Sequence, residues 1–102
     1  MQFSFLYILT DAMRTFLYIG ATSDLTSDLV EHTAVAAASF SRDARPVHLI
    51  YFENFRNISQ AGSRAEELRR LRDSKRWKII MNANPCLTPL LHLDDVKTRT
   101  HD

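Results

Sequence analysis

The stretch TFLYIGATSDL, residues 15–25, carries the clearest structural signal in this chain. Its first half, residues 15–20, is rich in aromatic and β-branched residues, a composition typical of a strand. Its second half carries Thr22, Ser23 and Asp24, whose side-chain oxygens can accept hydrogen bonds from the unpaired N–H groups that open a helix. The stretch therefore predicts a strand that is followed at once by a helix.

The residues before this stretch predict a second strand that pairs with the first one. Residues 3–9, FSFLYIL, again combine aromatic and β-branched side chains. The polar residues 11–14 separate the two strands and suit a hairpin with a loop of about four or five residues. The chain is therefore expected to open with a β-hairpin.

The residues after the stretch continue with a helix and a third strand. One helical face consists of Leu25, Leu29, His32 and Ala36, which follow one another at spacings of four, three and four residues. The run of residues 47–52 is apolar except for one histidine and is typical of a buried central strand. Glu53, at the end of this run, is predicted to be solvated.

Two further helices are predicted after the third strand. Ser59 can cap the first of them, and its inward stripe consists of Ala61, Ala65, Leu68 and Leu71. A break at residues 73–74 precedes a third short helix, which carries Trp77, Ile80 and Met81. The order β-β-α-β-α-α predicts an α+β domain, in which a small three-stranded sheet is flanked by helices.

Length and composition indicate one globular domain. The chain has 102 residues, of which 45% are hydrophobic and 25% charged. The longest run without Lys, Arg, Asp or Glu, residues 79–93, contains two asparagines and two prolines, and it is too short and polar for the roughly 20 apolar residues that cross a bilayer. No signal peptide is evident at the N-terminus. The single cysteine, Cys86, cannot form an internal disulfide, so we expect a cytoplasmic protein. Since no run of residues is long and apolar enough to cross a bilayer, we also expect no membrane contact.

The charge of the chain is unevenly distributed. The net charge is +1, but residues 56–78 hold eight basic and three acidic side chains, so that this segment is +5 and the rest of the chain is −4. A basic block on an otherwise acidic domain is typical of a protein that binds a phosphate backbone. The same pattern also fits a solvated helix face, so charge alone leaves both interpretations open.

Several motifs in register resemble the GIY-YIG nuclease family, especially its small stand-alone bacterial members. Residues 5–9, FLYIL, stand where the family has its first motif, and Tyr7 takes the place of the tyrosine of GIY. Residues 17–20, LYIG, match YIG, with Tyr18 eleven residues after Tyr7. Further matches, without a gap, are ATSDL, EH, FS, LIYFE and NP. The resemblance predicts a GIY-YIG-like domain over residues 1–85, followed by a tail.

The resemblance implies an enzyme that cleaves nucleic-acid phosphodiesters with one divalent metal ion, Mg²⁺ or Mn²⁺. The two motif tyrosines, Tyr7 and Tyr18, would line its cleft, where one helps to activate the nucleophile, and His32 has a counterpart there. In the family, an arginine on the first helix stabilises the scissile phosphate and a glutamate on the second helix holds the metal. Phosphoryl transfer needs such a cation near its developing charge, and a metal lowers the pKa of bound water.

The sequence departs from the family pattern at both of these positions. The phosphate-stabilising arginine falls on Ser27, and its neighbour is Asp28. The metal-binding glutamate falls on Ala65, with Glu66 next to it. One step along a helix turns a side chain by about 100°, so Glu66 would become the metal ligand only through a one-residue slip in the register.

Two hypotheses of different classes follow. The first is a degenerate nuclease fold that binds nucleic acid, with DNA expected, or docks a protein partner or a second copy. The residues predicted to contact nucleic acid are Arg69, Arg70, Arg72, Lys75, Arg76 and Lys78. The second is an active Mg²⁺- or Mn²⁺-dependent endonuclease with a rebuilt site. That site would consist of Tyr7, Tyr18 and His32 as catalytic residues and Glu66 as the metal ligand.

Overall fold

The computed structural model describes residues 3–11, 13–14, 16–31 and 47–90. The elements are, in chain order, β1 (Ser4–Asp11), β2 (Leu17–Thr22), α1 (described over residues 25–31), β3 (Val47–Phe55), α2 (Ile58–Arg70) and α3 (Asp73–Ala83). This order confirms the predicted α+β class. The predicted helix-face residues His32 and Ala36 lie outside the described residues.

The three strands form one antiparallel sheet in the order β2-β1-β3. Because β1 is central and lies between packed layers, almost all of its side chains are buried. Successive side chains of a strand point to opposite faces, and each face has its own core. One core contains Leu6, Ile8, Ile19, Ile50, Ala65, Leu68 and Ile80. The other contains Tyr7, Leu9, Leu29 and Leu49.

A bulge interrupts the pairing of β3 with β1. Ile8 pairs with Tyr51 and Leu9 pairs with Leu49, so Ile50 has no partner residue on β1. Its side chain is fully buried, and its carbonyl accepts a hydrogen bond of 3.0 Å from the side-chain amide of Asn84. A buried carbonyl without a partner is costly, so Asn84 satisfies a group that the bulge leaves unpaired.

The same asparagine ties the segment after α3 to the sheet. Its side chain donates to the carbonyl of Thr88 (2.9 Å) and accepts from the amide of Thr88 (3.1 Å). Further along, the amide of Leu90 donates to the carbonyl of Leu49 (2.8 Å). The first residues of the predicted C-terminal tail are therefore attached to β3.

The observed helix boundaries differ from the predicted ones. The cap of α2 is Asn57, whose backbone is extended and whose side chain accepts from the amide of Gln60 (2.9 Å), whereas Ser59 lies inside the first turn. Helix α3 begins at Asp73, earlier than its apolar residues indicate. Both Asn and Ser are good caps, so only the backbone conformation at the end of β3 selects Asn57.

The prediction that Glu53 is solvated was wrong. Strand β3 continues to Phe55, and the Glu53 carboxylate pairs with both Nε (3.0 Å) and Nη2 (3.1 Å) of Arg64 on α2. It also accepts a hydrogen bond from the hydroxyl of Tyr51. Its side chain is only 23% exposed, because α2 packs over this face of the sheet.

Candidate functional site

The two motif tyrosines meet on one face of the sheet. Tyr7 lies on β1 and Tyr18 on β2, where Tyr18 pairs with Leu9 of β1. Tyr7 and Leu9 are two residues apart and point to the same face of the sheet, so Tyr18 points to that face as well. Their ring centroids are 6.1 Å apart. Tyr7 is buried at 2% exposure, whereas Tyr18 is 41% exposed. The structure thus brings together two of the three residues predicted to be catalytic; the third, His32, lies outside the described residues.

The glycine of the second motif makes room for the first tyrosine. Gly20 pairs directly with Tyr7 across the β1–β2 ladder. A Cβ at position 20 would lie 2.6 Å from both Cζ and Oη of the Tyr7 ring. Real Cβ atoms do not approach other atoms this closely, so the glycine is required for the ring to lie flat over β2.

Helix α1 contributes a carboxylate to this site. The hydroxyl of Tyr7 donates to Oδ2 of Asp28 at 3.2 Å. Burial, the neighbouring Tyr18 and the charge of Asp28 together raise the pKa of Tyr7 well above its ordinary value. Tyr7 therefore stays protonated at neutral pH, and a protonated phenol donates hydrogen bonds instead of accepting a proton as a general base.

Of Ser27 and Asp28 on α1, Asp28 is the residue whose side chain contacts the tyrosine site. Ser27 is exposed, and its amide donates to the carboxylate of Asp24 (3.1 Å), which caps the helix. The side chain of Asp28 is the one that reaches Tyr7. The tyrosine site therefore contains a carboxylate from α1, one residue after the position at which the family resemblance predicts the arginine.

The described part of α2 does not fit a divalent metal. Ala65, at the position of the metal-binding glutamate, has no ligand atom and is buried at 1% exposure in the core. Glu66 has a side chain that is 58% exposed and pairs with Arg69 at 2.6 Å. Within the described ranges, no group of three or more His, Cys, Asp or Glu residues could hold a metal ion.

A cleft of about 350 Å³ runs along the outer edge of β2. It is lined by Leu17, Tyr18, Ile19, Arg69, Asp73 and Arg76. Arg69 lies across the edge of the strand, where its Nη2 donates to the carbonyl of Ile19 at 2.6 Å. Tyr18 thus lines a cleft to which α2 and α3 contribute two arginines.

Two of the six predicted nucleic-acid contacts have structural partners. Nη1 of Arg76 donates to the carbonyls of Leu71 (2.7 Å), Arg69 (3.1 Å) and Leu68 (3.4 Å), and Nη2 pairs with Asp73 (3.1 Å). Arg76 therefore pairs with backbone carbonyls at the end of α2, where intrahelical donors run out; of the three, the carbonyl of Leu68 also accepts from the amide of Leu71 (3.2 Å). Arg69 is likewise engaged, with Glu66 and with β2.

The other four predicted contacts are exposed. They are Arg70, Arg72, Lys75 and Lys78. Arg70 ends α2, Arg72 lies in the turn, and Lys75 and Lys78 are three residues apart on the outer face of α3. With the described residues, these four side chains form neither an ion pair nor a hydrogen bond, so their positive charges face solvent.

Sequence reasoning missed the polar cluster between β3 and α2. Partial burial alone would raise the pKa of Glu53, but the hydrogen bonds from Arg64 and Tyr51 outweigh it and hold the pKa below its ordinary value. Burial and the Glu53 carboxylate raise the pKa of Tyr51 to about 12. The spacing of Tyr51 and Glu53, two residues apart on a strand, was the available signal, because it puts both side chains on one face.

Comparison with known proteins agrees with this architecture. The family model of the GIY-YIG catalytic domain matches residues 3–79. A UPF0213 protein of Natronomonas pharaonis is 32% identical over 76 residues, which is 74% of this chain and 88% of that protein. A UPF0213 protein of Streptococcus pyogenes serotype M5 is 36% identical over 76 residues, 74% of this chain and 80% of that protein.

A UPF0213 protein of Desulfotalea psychrophila is 32% identical over 77 residues, which is 74% of this chain and 69% of that protein. No solved structure matches the chain significantly. Within the described residues, no helix has the length and apolar character needed to cross a membrane.

The extent of the family match and the identity to these relatives lead to one conclusion: the chain belongs to the GIY-YIG catalytic domain family.

Proposed function

We propose that this protein is a catalytically degenerate GIY-YIG domain that binds nucleic acid, with DNA as the expected ligand, through the exposed cations of α2 and α3. The observation that carries the proposal is the 3.2 Å contact between the Tyr7 hydroxyl and the Asp28 carboxylate. This contact brings an acidic group, paired to a protonated phenol, into the tyrosine site from the residue next to Ser27, the position at which the resemblance predicts a cation.

The magnitudes support loss of catalysis. An arginine that stabilises the transferring phosphate contributes roughly 10³–10⁵ in rate in other phosphoryl-transfer enzymes. The carboxylate of Asp28 cannot supply this stabilisation, and its negative charge repels the phosphate. Ala65 supplies no oxygen ligand for a metal that would activate water, so both expected sources of positive charge are missing among the described residues.

The exposed cations support binding. Arg70, Arg72, Lys75 and Lys78 form a positive surface at the turn between α2 and α3 and along α3. If these four residues contact phosphates of a duplex, log Kd changes with log salt concentration with a slope of about 3.6 in magnitude. If Arg69 and Arg76 also contacted phosphates, the slope would be about 5.4. The slope therefore distinguishes a four-cation surface from the six-cation surface of the sequence hypothesis.

A cleavage assay tests the catalytic half of the proposal. Supercoiled, single-stranded and branched DNA are incubated with micromolar protein and Mg²⁺ or Mn²⁺, and the double variant Tyr7→Phe/Tyr18→Phe controls for contaminating nuclease. We expect no cleavage by either protein. Metal-dependent nicking that the double variant lacks would instead support the active endonuclease, with Tyr7, Tyr18, His32 and Glu66 as its site.

A salt titration tests the binding half. Fluorescence anisotropy with a labelled 20-base-pair duplex is recorded between about 50 and 200 mM salt. In the double variant Lys75→Gln/Lys78→Gln, we expect the slope to fall by about 1.8. Arg14→Gln, in the β1–β2 turn, is the control that removes one positive charge outside the proposed surface, and it should leave the slope unchanged. A slope near zero for the unmodified protein would exclude electrostatic binding and favour a protein partner.

A further inference from the structure

Two phenylalanines extend the face that carries the tyrosines. Phe5 precedes Tyr7 by two residues on β1, and Phe52 on β3 pairs directly with Tyr7, so all three side chains point to the same side of the sheet. The aromatic surface therefore crosses the sheet from Phe52 on one edge strand to Tyr18 on the other.

Phe52 presents its ring to solvent. It is 41% exposed, and its ring is held against the partly buried Phe5 in an edge-to-face contact, with centroids 6.2 Å apart and an interplanar angle of 71°. An edge-to-face contact fixes the orientation of the ring. Phe52 therefore presents part of its ring to solvent in an orientation that the contact with Phe5 restricts.

Polar groups suited to nucleotides adjoin this ring. Asn54, which is exposed, pairs with Phe5 in the ladder and so lies on the same face. Its amide can both donate to and accept from the edge of a base. Arg56, also exposed, follows directly after β3 and forms no ion pair with another described residue. A flat apolar ring is thus accompanied by an amide and a cation.

The exposed area of the Phe52 ring is small compared with a protein interface. A phenylalanine that is 41% exposed contributes roughly 80 Å² of accessible area, given the 150–250 Å² of a whole aromatic side chain. A specific protein interface buries about 800 Å² per partner. One ring of this area matches a single planar group such as a nucleobase.

We propose that Phe52, held in place by Phe5, stacks on an unpaired nucleobase, so that the ligand of this domain is single-stranded nucleic acid or nucleic acid with unpaired bases. The inference rests on the proposed function and specifies its ligand. Phe52 lies on the Tyr7 face of the sheet, whereas α2 and α3 pack on the other face, so a strand that contacts both Phe52 and the exposed cations must pass around an edge of the sheet. Inside a duplex both faces of each base are covered by neighbouring bases, so away from the ends only an unpaired base can offer its face to Phe52. Stacking on aromatic side chains is a sequence-tolerant way of binding single strands.

The test compares single-stranded with duplex DNA in one anisotropy assay at fixed salt. The probes are a labelled 20-nucleotide single strand and a labelled duplex of the same length. In Phe52→Ala we expect the affinity for the single strand to fall by roughly 5- to 100-fold, as for other base–aromatic stacks, with the affinity for the duplex unchanged. Phe52→Leu, which keeps apolar packing against Phe5 but has no aromatic face, should show the same selective loss.

The matched control is Phe16→Ala. Phe16 is 44% exposed and immediately precedes β2, so its removal deletes an equally exposed ring outside the proposed surface. We expect no change in affinity for either probe. A single strand with 2-aminopurine in place of one base gives a direct readout, because stacking quenches its fluorescence; the quenching should be absent in both Phe52 variants.

The outcomes separate this inference from the proposed function. If both probes bind with a salt-dependent affinity but the Phe52 variants bind the single strand as the unmodified protein does, the stacking inference is refuted and the binding function stands. If neither probe binds, both the stacking inference and the proposed binding function are refuted. A change of sedimentation coefficient in Phe52→Ala, without a change in affinity, would assign the ring to self-association and refute the inference as well.

Discussion

A methyl group added at Gly20 is expected to destabilise the fold, because the ring of Tyr7 occupies the space that it needs. The new Cβ would lie 2.6 Å from Cζ and Oη and 2.9 Å from Cε1 of that ring. The ring cannot simply move aside, since Tyr7 is only 2% exposed and its hydroxyl is bonded to Asp28.

The magnitude follows from these contacts. Overpacking a core costs about 1–3 kcal/mol, and a lost hydrogen bond adds about 1 kcal/mol, so Gly20→Ala should lower the free energy of unfolding by about 2–4 kcal/mol. For a domain of this size, that corresponds to a urea midpoint lower by about 1–2 M. Urea unfolding followed by circular dichroism measures the change.

The second glycine provides the control. Gly62 lies inside α2, and a Cβ there meets no atom within 4 Å. Because alanine favours a helix interior over glycine, Gly62→Ala should stabilise the protein by about 0.5–1 kcal/mol. The same substitution is thus expected to lower the free energy of unfolding at position 20 and to raise it at position 62.

A double-mutant cycle tests the cause. In a Tyr7→Leu background the atoms that clash are gone, so Gly20→Ala should cost less than about 0.5 kcal/mol, with a coupling energy above about 1.5 kcal/mol. Equal costs in the two backgrounds would refute the reasoning, because the destabilisation would then come from the strand backbone. A neutral Gly20→Ala would refute it as well.

Three further predictions concern contacts between distant elements. Arg76→Gln removes the hydrogen bonds to the end of α2 and should cost about 2 kcal/mol in urea unfolding, whereas Lys75→Gln should change stability by less than about 0.5 kcal/mol. Asn84→Ala leaves the bulge carbonyl buried and unpaired and should cost about 2–3 kcal/mol; a loss as small as that of the exposed Asn82→Ala would contradict this role. Glu53 has a lowered pKa in the folded state, so its stabilising effect is present above the ordinary pKa of about 4.3 and is lost as the pH falls toward the folded value. Thermal unfolding between pH 7 and pH 3 should therefore show a smaller decrease for Glu53→Gln, and an identical decrease would count against the ion pair.

Local patterns were sufficient to predict most of the fold. Alternation of side chains on strands and the helical spacing of apolar residues depend on neighbours within a few positions, and the hairpin, the third strand and the stripe of Ala61, Ala65 and Leu68 follow from them. The boundary of α2 was predicted two residues late, since Asn57 and Ser59 are equally suited to a cap and the sequence does not show which one has an extended backbone.

The charges of the site could not be assigned from the sequence. In the sequence, the six basic residues between Arg69 and Lys78 cannot be told apart as exposed or engaged cations. A guanidinium has several donors and forms hydrogen bonds with the acceptors that the fold brings near it. For Arg76 these are carbonyls at the end of α2, and for Arg69 a carbonyl of β2, 50 residues away in the chain. Glu53 and Arg64 meet for the same reason, because β3 and α2 pack together.

Three features are evident from the amino-acid chain alone: the element order, the family motifs, and the absence of a glutamate at position 65 and of a positive residue at positions 27 and 28. The packed fold was needed to show that Asp28 is bonded to Tyr7, that a side chain at position 20 would overlap the tyrosine ring, and which cations remain exposed. The physical reason is the range of the interactions. Propensity and periodicity act between near neighbours along the chain, whereas hydrogen bonds, steric exclusion and charge pairing act between atoms that only the packed fold brings within a few ångströms.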